Sequence, residues 1–525
     1  MKTMVKQKFL PIILVILDGW GIAPASVANP ISIAKTPTMD CFLKKYPDTQ
    51  LFAHGKSVGL PNGQDGNSEA GHMNLGAGRI IKQDAVLISE AIKDGTFFRN
   101  PAFIEAVNHA KKNKSNIHLI GLLSDGQSAH SQPEHLYALL DFLKQQKFDR
   151  VYLHIFTDGR DSSPHAASNL IVKLIKNFKN NETISTIMGR FYAMDRIKAW
   201  HRTELAYNAM VCGYGIVSDN PYKAISEAYN RGETDEYITP TVVLNPEKKA
   251  GFITDKDSII FFNLRSDRAR QLTKPFIQKS FECKNGKGFR RKKIVKNIKF
   301  VAMTDFGPDL DSVLTAYPSV DYQKTLPALL NKYKQLYISE REKYAHVTYF
   351  FNGGHSQPVN GEEWLVVPSS GRGNYVKHPQ MSSNEITKII LKRLQNKQAD
   401  FILVNYPNAD MLGHTGNVKA AIIALEVIDK NLSKLYKKVM KMKGTLIITA
   451  DHGNIEEMIN LKTGEMDTEH STNPVPFIIV NKELKNIRLR KKGVLADVSP
   501  TILQLLSIKK PKEMTGQSLI LSKNL

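Results

Sequence analysis

Three aspartates and three histidines in this sequence have the types and the places of metal ligands. "TADHGN" sets Asp451 and His452 side by side after an apolar run, and "NADMLGH" sets Asp410 and His414 four residues apart. That interval brings both side chains to one face if the segment turns helically, close enough to share one ion. "DTEHSTNPVPF" adds His470 ahead of a Pro-rich loop, and Asp18 closes the first apolar run. Carboxylates and imidazoles together are the inventory of a two-metal site of mixed oxygen and nitrogen character. Any one of them alone serves as readily as a turn former or cap. The 410/414 interval and the adjacent 451/452 pair are what favour metal.

A candidate nucleophile lies in "GNSEAGHMNLGAG", Gly66 to Gly78. Its glycines let a phosphate come close to the backbone. It lacks the lysine and terminal Ser/Thr of a P-loop, and no GxGxxG spacing fits. Ser68 therefore reads either as the cap of a helix that starts there or as an attacking hydroxyl. Between the two halves of the ligand set, Arg160, Arg190, Arg196, Arg265 and Arg268 follow or flank the ends of strands. Guanidinium forks suit carboxylate and phosphate. Singly they read equally as surface salt bridges, and "AMDR" could pair locally on a helix.

The elements that must hold these groups alternate. "IILVILD" (12–18), "NIHLIGLLSDG" (116–126), "RVYLHIFTDGRD" (150–161), "SIIFFNLRSDR" (258–268), "FILVNYPNAD" (401–410) and "TLIITADHG" (445–453) are apolar, β-branched runs that end in polar residues. Helical patterns such as "PEHLYALLDFLKQQ" (133–146) and "AAIIALEVIDKNLSKLYKKV" (420–439) lie between several of them. Strands buried on both faces and alternating with helices predict α/β architecture with parallel or mixed sheets. Ligands gather at the carboxyl ends of such strands, where these polar residues fall.

With 525 residues, 42% hydrophobic and 23% charged, the chain has the composition of a soluble protein of two or three domains. Cys41, Cys212 and Cys283 are far apart and odd in number, which points to a reducing, cytoplasmic setting. The net charge of +22 lies largely in lysine-rich stretches such as 289–300, 434–444 and 486–493. Without nucleic-acid-binding signatures these read as solvated surface, so no nucleic-acid partner is expected. The N-terminus has the outline of a signal peptide, with lysines, a short apolar run and "APA" at 23–25. A buried strand that delivers Asp18 explains the same residues and is the reading adopted. No other run is long enough to span a bilayer, so no membrane partner is expected either.

"ILDGWG", "GNSEAGHMNLGAGR", "TDGRD", "MGRFYAMDR", "FFNLRSDRARQ", "KYAHVTYFFNGG", "NADMLGHTG" and "TADHGN", in this order, closely resemble the motifs of cofactor-independent phosphoglycerate mutases of the alkaline-phosphatase superfamily. The resemblance runs over roughly residues 10 to 520. It implies interconversion of 3- and 2-phosphoglycerate without bisphosphoglycerate, through a phosphoserine at Ser68. It assigns Asp18, Ser68, Asp451 and His452 to one divalent ion and Asp410, His414 and His470 to the other. Manganese is the ion it favours, with magnesium, cobalt and zinc compatible with the donors. Lys343, in "EKYAHVTYFF", would neutralise the transferring phosphate. Asp161 would hold a glycerate hydroxyl or move its proton. His130 would contact the phosphoryl group or substrate, and the five arginines would bind the substrate's charged ends. A monomer is expected.

The same resemblance implies an alkaline-phosphatase-like α/β domain, 1–82 plus 315–525, interrupted by an inserted substrate-binding domain, 83–314, with the active site in a cleft whose closure keeps glycerate beside the phosphoserine. Two stretches depart from the family pattern. "SDGQSAHSQ" (124–132) stands where "SDGGVHSH" is usual, which places His130 in a loop with an inserted residue. "KSFECKNGKGFRRKKIVKNIKF" (279–300) is longer and more basic than usual and reads as a surface excursion.

Overall fold

Ile12–Leu17 is an unbroken run of aliphatic residues, and every one is buried, because this strand lies inside a sheet covered on both faces. The computed structural model describes residues 9–521 apart from 246, 248–250, 287, 308 and 311, and of 371 and 372 the backbone only. The lysines that open the signal-peptide outline lie outside the described residues. The apolar run behind them is the buried strand. Among the described residues no helix is long and apolar enough to cross a membrane.

The chain divides into two compact units, Met1–Gln83 with Val320–Leu525, and Asp84–Ser319. The first is built on an eight-stranded sheet in the order Glu363–Val367, Gln335–Glu340, Phe401–Tyr406, Ile12–Leu17, Thr445–Thr449, Val475–Val480, Asp48–Phe52, Lys492–Val494. The first five strands run parallel and Val475–Val480 runs against its neighbours. Ile12 pairs with both Phe401 and Thr445, so the three central strands end level with one another. The 24-residue helix Val418–Lys441 starts at the Asn417 cap, which accepts from Ala420 N. It buries Ala421, Ala424, Leu425, Ile428, Leu432 and Leu435 at helical spacing. Asp429 on the same helix accepts from the N–H groups of Thr38 and Met39 at 3.1 and 2.8 Å, holding the first turn of helix Pro37–Lys45.

The second unit has its own eight-stranded sheet, in the order Val313–Tyr317, Lys299–Thr304, Ser258–Phe261, Ile117–Leu123, Val151–Thr157, Thr183–Gly189, Thr241–Val243, Ile216–Ser218. Here too the central strands are parallel, and only the Thr183–Gly189/Thr241–Val243 pair is antiparallel. Both sheets are thus mixed and helix-covered, the α/β class that the alternating pattern predicts.

The basic stretch 279–300 is not only a surface excursion. Phe281, Phe289 and Val295 are buried in one of this unit's cores, with Trp200, Tyr207 and Phe276. Arg291 is 7% exposed. Its guanidinium donates to the carbonyls of Pro275, Gln278 and Lys279 at 2.9–3.0 Å and pairs with Glu282 at 3.2 Å. These carbonyls lie at or just past the end of helix Ser266–Ile277, where backbone acceptors lack partners and a five-donor fork can serve several at once. Lys284, Lys292 and Lys293 around it are exposed.

Candidate active site

The level ends of the three central strands of the first unit bring its polar groups together. Asp18 follows Leu17 directly, Asp451 lies two residues past Thr449, and the short helix Asn408–Gly413 carries Asp410 and ends at His414. Asp410 N donates to the Asp18 carbonyl at 2.9 Å. Gly19 between them has φ +74, and a Cβ there would sit 2.7 Å from Asp410 Cα, so this approach requires glycine. Ser68 is the first residue of helix Ser68–Ala77, and the capping role belongs to Asn67, whose side chain accepts from Ala70 N at 2.8 Å. The Ser68 hydroxyl is left for other partners at the positive end of that helix.

Those partners are chemical ones. Lys343 Nζ donates to Ser68 Oγ at 2.6 Å, His452 Nε2 lies 2.9 Å from that oxygen, and Ser68 Oγ donates to Asp18 Oδ1 at 3.3 Å. The same ammonium stands 2.7 Å from both Asp18 Oδ1 and Asp410 Oδ2. Donor atoms of Asp18, Asp451 and His452 lie within 4.8 Å of one another, and so do those of Asp410, His452 and His470. His452 therefore belongs to both groups. His414 stands beside the second, its Nε2 3.3 Å from Asp410 Oδ1 and 3.1 Å from His470 Nε2.

The hydrogen bonds around these rings say which atoms are free to ligate. His414 Nδ1 donates to the Thr468 carbonyl at 2.7 Å and His470 Nδ1 to the Gly66 carbonyl at 2.8 Å. In the neutral rings the Nε2 atoms then carry bare lone pairs, which converge on each other and on a carboxylate oxygen. Three carboxylates share the site with one ammonium. Burial, and then repulsion from Asp451, pushes the Asp18 carboxyl up to about 7. Burial likewise pushes Asp410 up, but the Lys343 ammonium beside it outweighs this and helps hold that carboxyl well below the usual range. Burial pushes His452 down to about 3, so its imidazole is neutral. A pocket of three carboxylates with imidazole nitrogens converging on them fits divalent cations.

The second unit gathers the other set. Asp158, Arg160 and Asp161 follow Val151–Thr157, Arg190 follows Thr183–Gly189, and His130 lies in the loop after Ile117–Leu123. Arg190 is buried, and one nitrogen bridges Asp158 Oδ1 at 2.5 Å and Asp161 Oδ2 at 2.7 Å. Ser128 Oγ donates to Asp161 Oδ2 at 2.7 Å and accepts from His130 N at 3.2 Å, tying the unusual loop to this pair. Burial, then repulsion from Arg190 and Arg265, pushes His130 down to about 3. Arg196 pairs with Asp267 at 2.8 Å, Arg265 lies 3.6 Å from the same carboxylate, and Arg160 is 3.8 Å from Glu236. Arg268 donates to the Met194 carbonyl at 3.2 Å; burial, then repulsion from Arg196, Arg190 and Arg160, lowers its pKa. Guanidinium groups near enough to lower one another's pKa are of the kind that suits an anion.

The sequence reading passed over the residues that support these groups. Asn405 donates to Asp18 Oδ2 at 2.6 Å and lies 3.0 Å from His72 Nε2. His72 Nδ1 is 2.9 Å from the Ser68 carbonyl and 3.2 Å from Asp451 Oδ2. Asn454 donates to Asp410 Oδ1 at 3.2 Å. One signal for Asn405 was present: it is the polar residue inside "FILVNY", a strand whose every residue is buried.

An α/β chain with two overlapping Asp/His donor groups at the ends of its central strands is a metalloenzyme by build, and it matches the Metalloenzyme superfamily over residues 10–510. It is 45% identical over 513 residues to the 2,3-bisphosphoglycerate-independent phosphoglycerate mutase of Clostridium novyi (strain NT), covering 97% of this chain and 99% of that one. It is 46% identical over 514 residues to the protein of that name from Clostridium kluyveri, with the same coverage. Among solved structures, the phosphoglycerate mutase of Leishmania mexicana at low cobalt concentration superposes with a TM-score of 0.76 at 29% identity, over 98% of both chains. The chain belongs to the family of 2,3-bisphosphoglycerate-independent phosphoglycerate mutases.

Proposed function

We propose that this chain interconverts 3-phosphoglycerate and 2-phosphoglycerate through a phosphoserine at Ser68. The observation that carries the reading is the Ser68 hydroxyl at a helix N-terminus, 2.6 Å from the buried Lys343 ammonium and 2.9 Å from His452 Nε2. Divalent ions held by Asp18, Ser68, Asp451 and His452 and by Asp410, His414 and His470 would lower the pKa of the serine hydroxyl and offset phosphate charge. Manganese is the ion we assign, with magnesium, cobalt and zinc admitted by the same donors.

Ser68 Oγ gives up its proton and attacks phosphorus in line as the bond to the glycerate oxygen breaks, and the departing alkoxide takes one proton in return, relayed to it through the ionised Asp161. Lys343 stabilises charge on the serine oxygen in both directions. Arg160, Arg190, Arg196, Arg265 and Arg268 hold the substrate's carboxylate and phosphate charges, and His130, neutral because it is buried among arginines, contacts the phosphoryl group. When the other glycerate hydroxyl attacks the phosphoserine, the isomer is released. The inserted unit, which runs to Ser319 rather than 314 so that strand Val313–Tyr317 stays whole, acts as the substrate-binding domain of a cytoplasmic monomer whose partner is a small molecule rather than nucleic acid or a membrane.

Phosphorus NMR of the protein with 3-phosphoglycerate and manganese, without bisphosphoglycerate, tests this. The expected result is 2-phosphoglycerate, with chelated and Ser68→Ala samples inactive. Accumulation of inorganic phosphate alone would make the chain a phosphatase.

A further inference from the structure

We propose that Glu456 is a positioning residue for the metal-binding groups: its buried carboxylate fixes in one register the three segments that carry Asp18, Asp451–His452 and His470. The proposal rests on the metal reading of this site and adds to it a residue that touches neither substrate nor reacting atoms.

Glu456 is 1% exposed and both its oxygens are fully engaged. Oε2 accepts from Gly21 N at 2.9 Å and from Asn454 N at 2.9 Å. Oε1 accepts from Asn473 Nδ2 at 3.0 Å and from the Ser471 hydroxyl. Gly21 lies just beyond Asp18, Asn454 just beyond His452, and Ser471 is next to His470. One carboxylate thus ties together three segments that are remote in sequence. Every partner donates, so the position calls for a group that accepts at both ends.

The packing is specific to this carboxylate. A Cβ on Gly21 would lie 2.2 Å from Glu456 Cδ, and one on Gly453 would lie 2.3 Å from Glu456 Oε1 and from Ser471 Oγ. Two glycines, from two of the three segments, therefore clear the space that Glu456 fills. On the Oε2 side both donors are backbone N–H groups that cannot reverse. An amide in place of the carboxylate keeps its oxygen there and turns its NH2 toward Ser471 and Asn473, which loosens the segment bearing His470. Alanine releases all three segments.

The test uses metal-stripped full-length protein titrated with Co2+, followed by visible absorption and calorimetry, with far-UV circular dichroism as the check on folding. Supporting groups of this kind typically change metal affinity by about 10- to 100-fold. We expect Glu456→Gln to keep the fold and weaken Co2+ binding about tenfold, and Glu456→Ala to weaken it further, both with altered ligand-field bands. Gly21→Ala, which presses directly on the same carboxylate, should reproduce the loss, and Glu456→Ala with Gly21→Ala should be no worse than Glu456→Ala alone. If the Glu456 variants do not fold, Gly21→Ala and Ser471→Ala carry the measurement. Folded variants with unchanged Co2+ affinity and spectrum would overturn the proposal while leaving the metal reading intact. A wild-type protein that takes up no Co2+ would overturn both.

Discussion

His414 and His470 point their Nε2 atoms at each other across 3.1 Å, each with its Nδ1 hydrogen committed to a backbone carbonyl. Two ring nitrogens held in opposition, with an Asp410 oxygen beside them, form a group of donors that suits a shared cation. His414→Ala removes one donor at the rim of the site, where its ring is partly exposed. Metal content after desalting from limiting manganese should fall by about one ion per chain, with the circular dichroism unchanged. Unaltered content would remove His414 from the ligand set.

Lys343 has placed all three ammonium hydrogens, on Asp18, Asp410 and Ser68. Lys343→Met leaves those two buried carboxylates without their cation, a loss that costs about 3–5 kcal/mol when a buried pair is broken from one side. Urea melts of chelated protein should show a loss of that order, and saturating manganese should recover part of it. Equal losses with and without metal would mean that the lysine serves the fold alone.

Burial pushes the Asp161 carboxyl up, and hydrogen bonds from Arg190 and Ser128 outweigh it, so the group ends below the usual carboxylate range. Arg190→Gln takes away the stronger of these opposing interactions. The acid limb of the kcat profile for 3-phosphoglycerate should therefore move to higher pH, and Ser128→Ala should move it the same way by less. A limb that stays in place in both variants would separate Asp161 from proton handling.

How far the sequence discloses this molecule depends on the kind of residue. The strands were legible because runs such as "IILVIL" and "FILV" are too uniformly apolar to be anything but buried. The polar residues after them were legible as ligand candidates because parallel sheets present such residues at one end. His72 and Asn405 were not, since a histidine in a helix and an asparagine in a strand acquire partners only when segments remote in sequence meet. Arg291 was hidden for a different reason. It sits among exposed lysines, and its carbonyl partners exist only once a helix has ended beside it.

Glu340 supplies a pH test away from the ligands. Burial pushes its carboxyl up from 4.5 to about 7, so between those values the folded chain holds a proton that the unfolded chain has lost. The contribution is stabilising at low pH and fades as pH rises, with a slope of at most about 1.4 kcal/mol per pH unit. Glu340→Gln should gain on the wild type steadily from mildly acidic to neutral pH in denaturant melts. A difference between the two that is independent of pH would show that Glu340 does not titrate there.

The central strand Ile12–Leu17 is made well before both of its neighbours, Phe401–Tyr406 and Thr445–Thr449. Pairings across such sequence separations are slow to close, and domains made of continuous chain fold first as they emerge from the ribosome. Asp84–Ser319 can complete its sheet while the opening strand still waits, apolar and unpaired. Nascent chains arrested before residue 401 should therefore carry a folded arginine cluster and an unpaired, apolar Ile12–Leu17 segment. The order in which these strands are made sets a long interval in which an apolar segment lacks the sheet that will bury it.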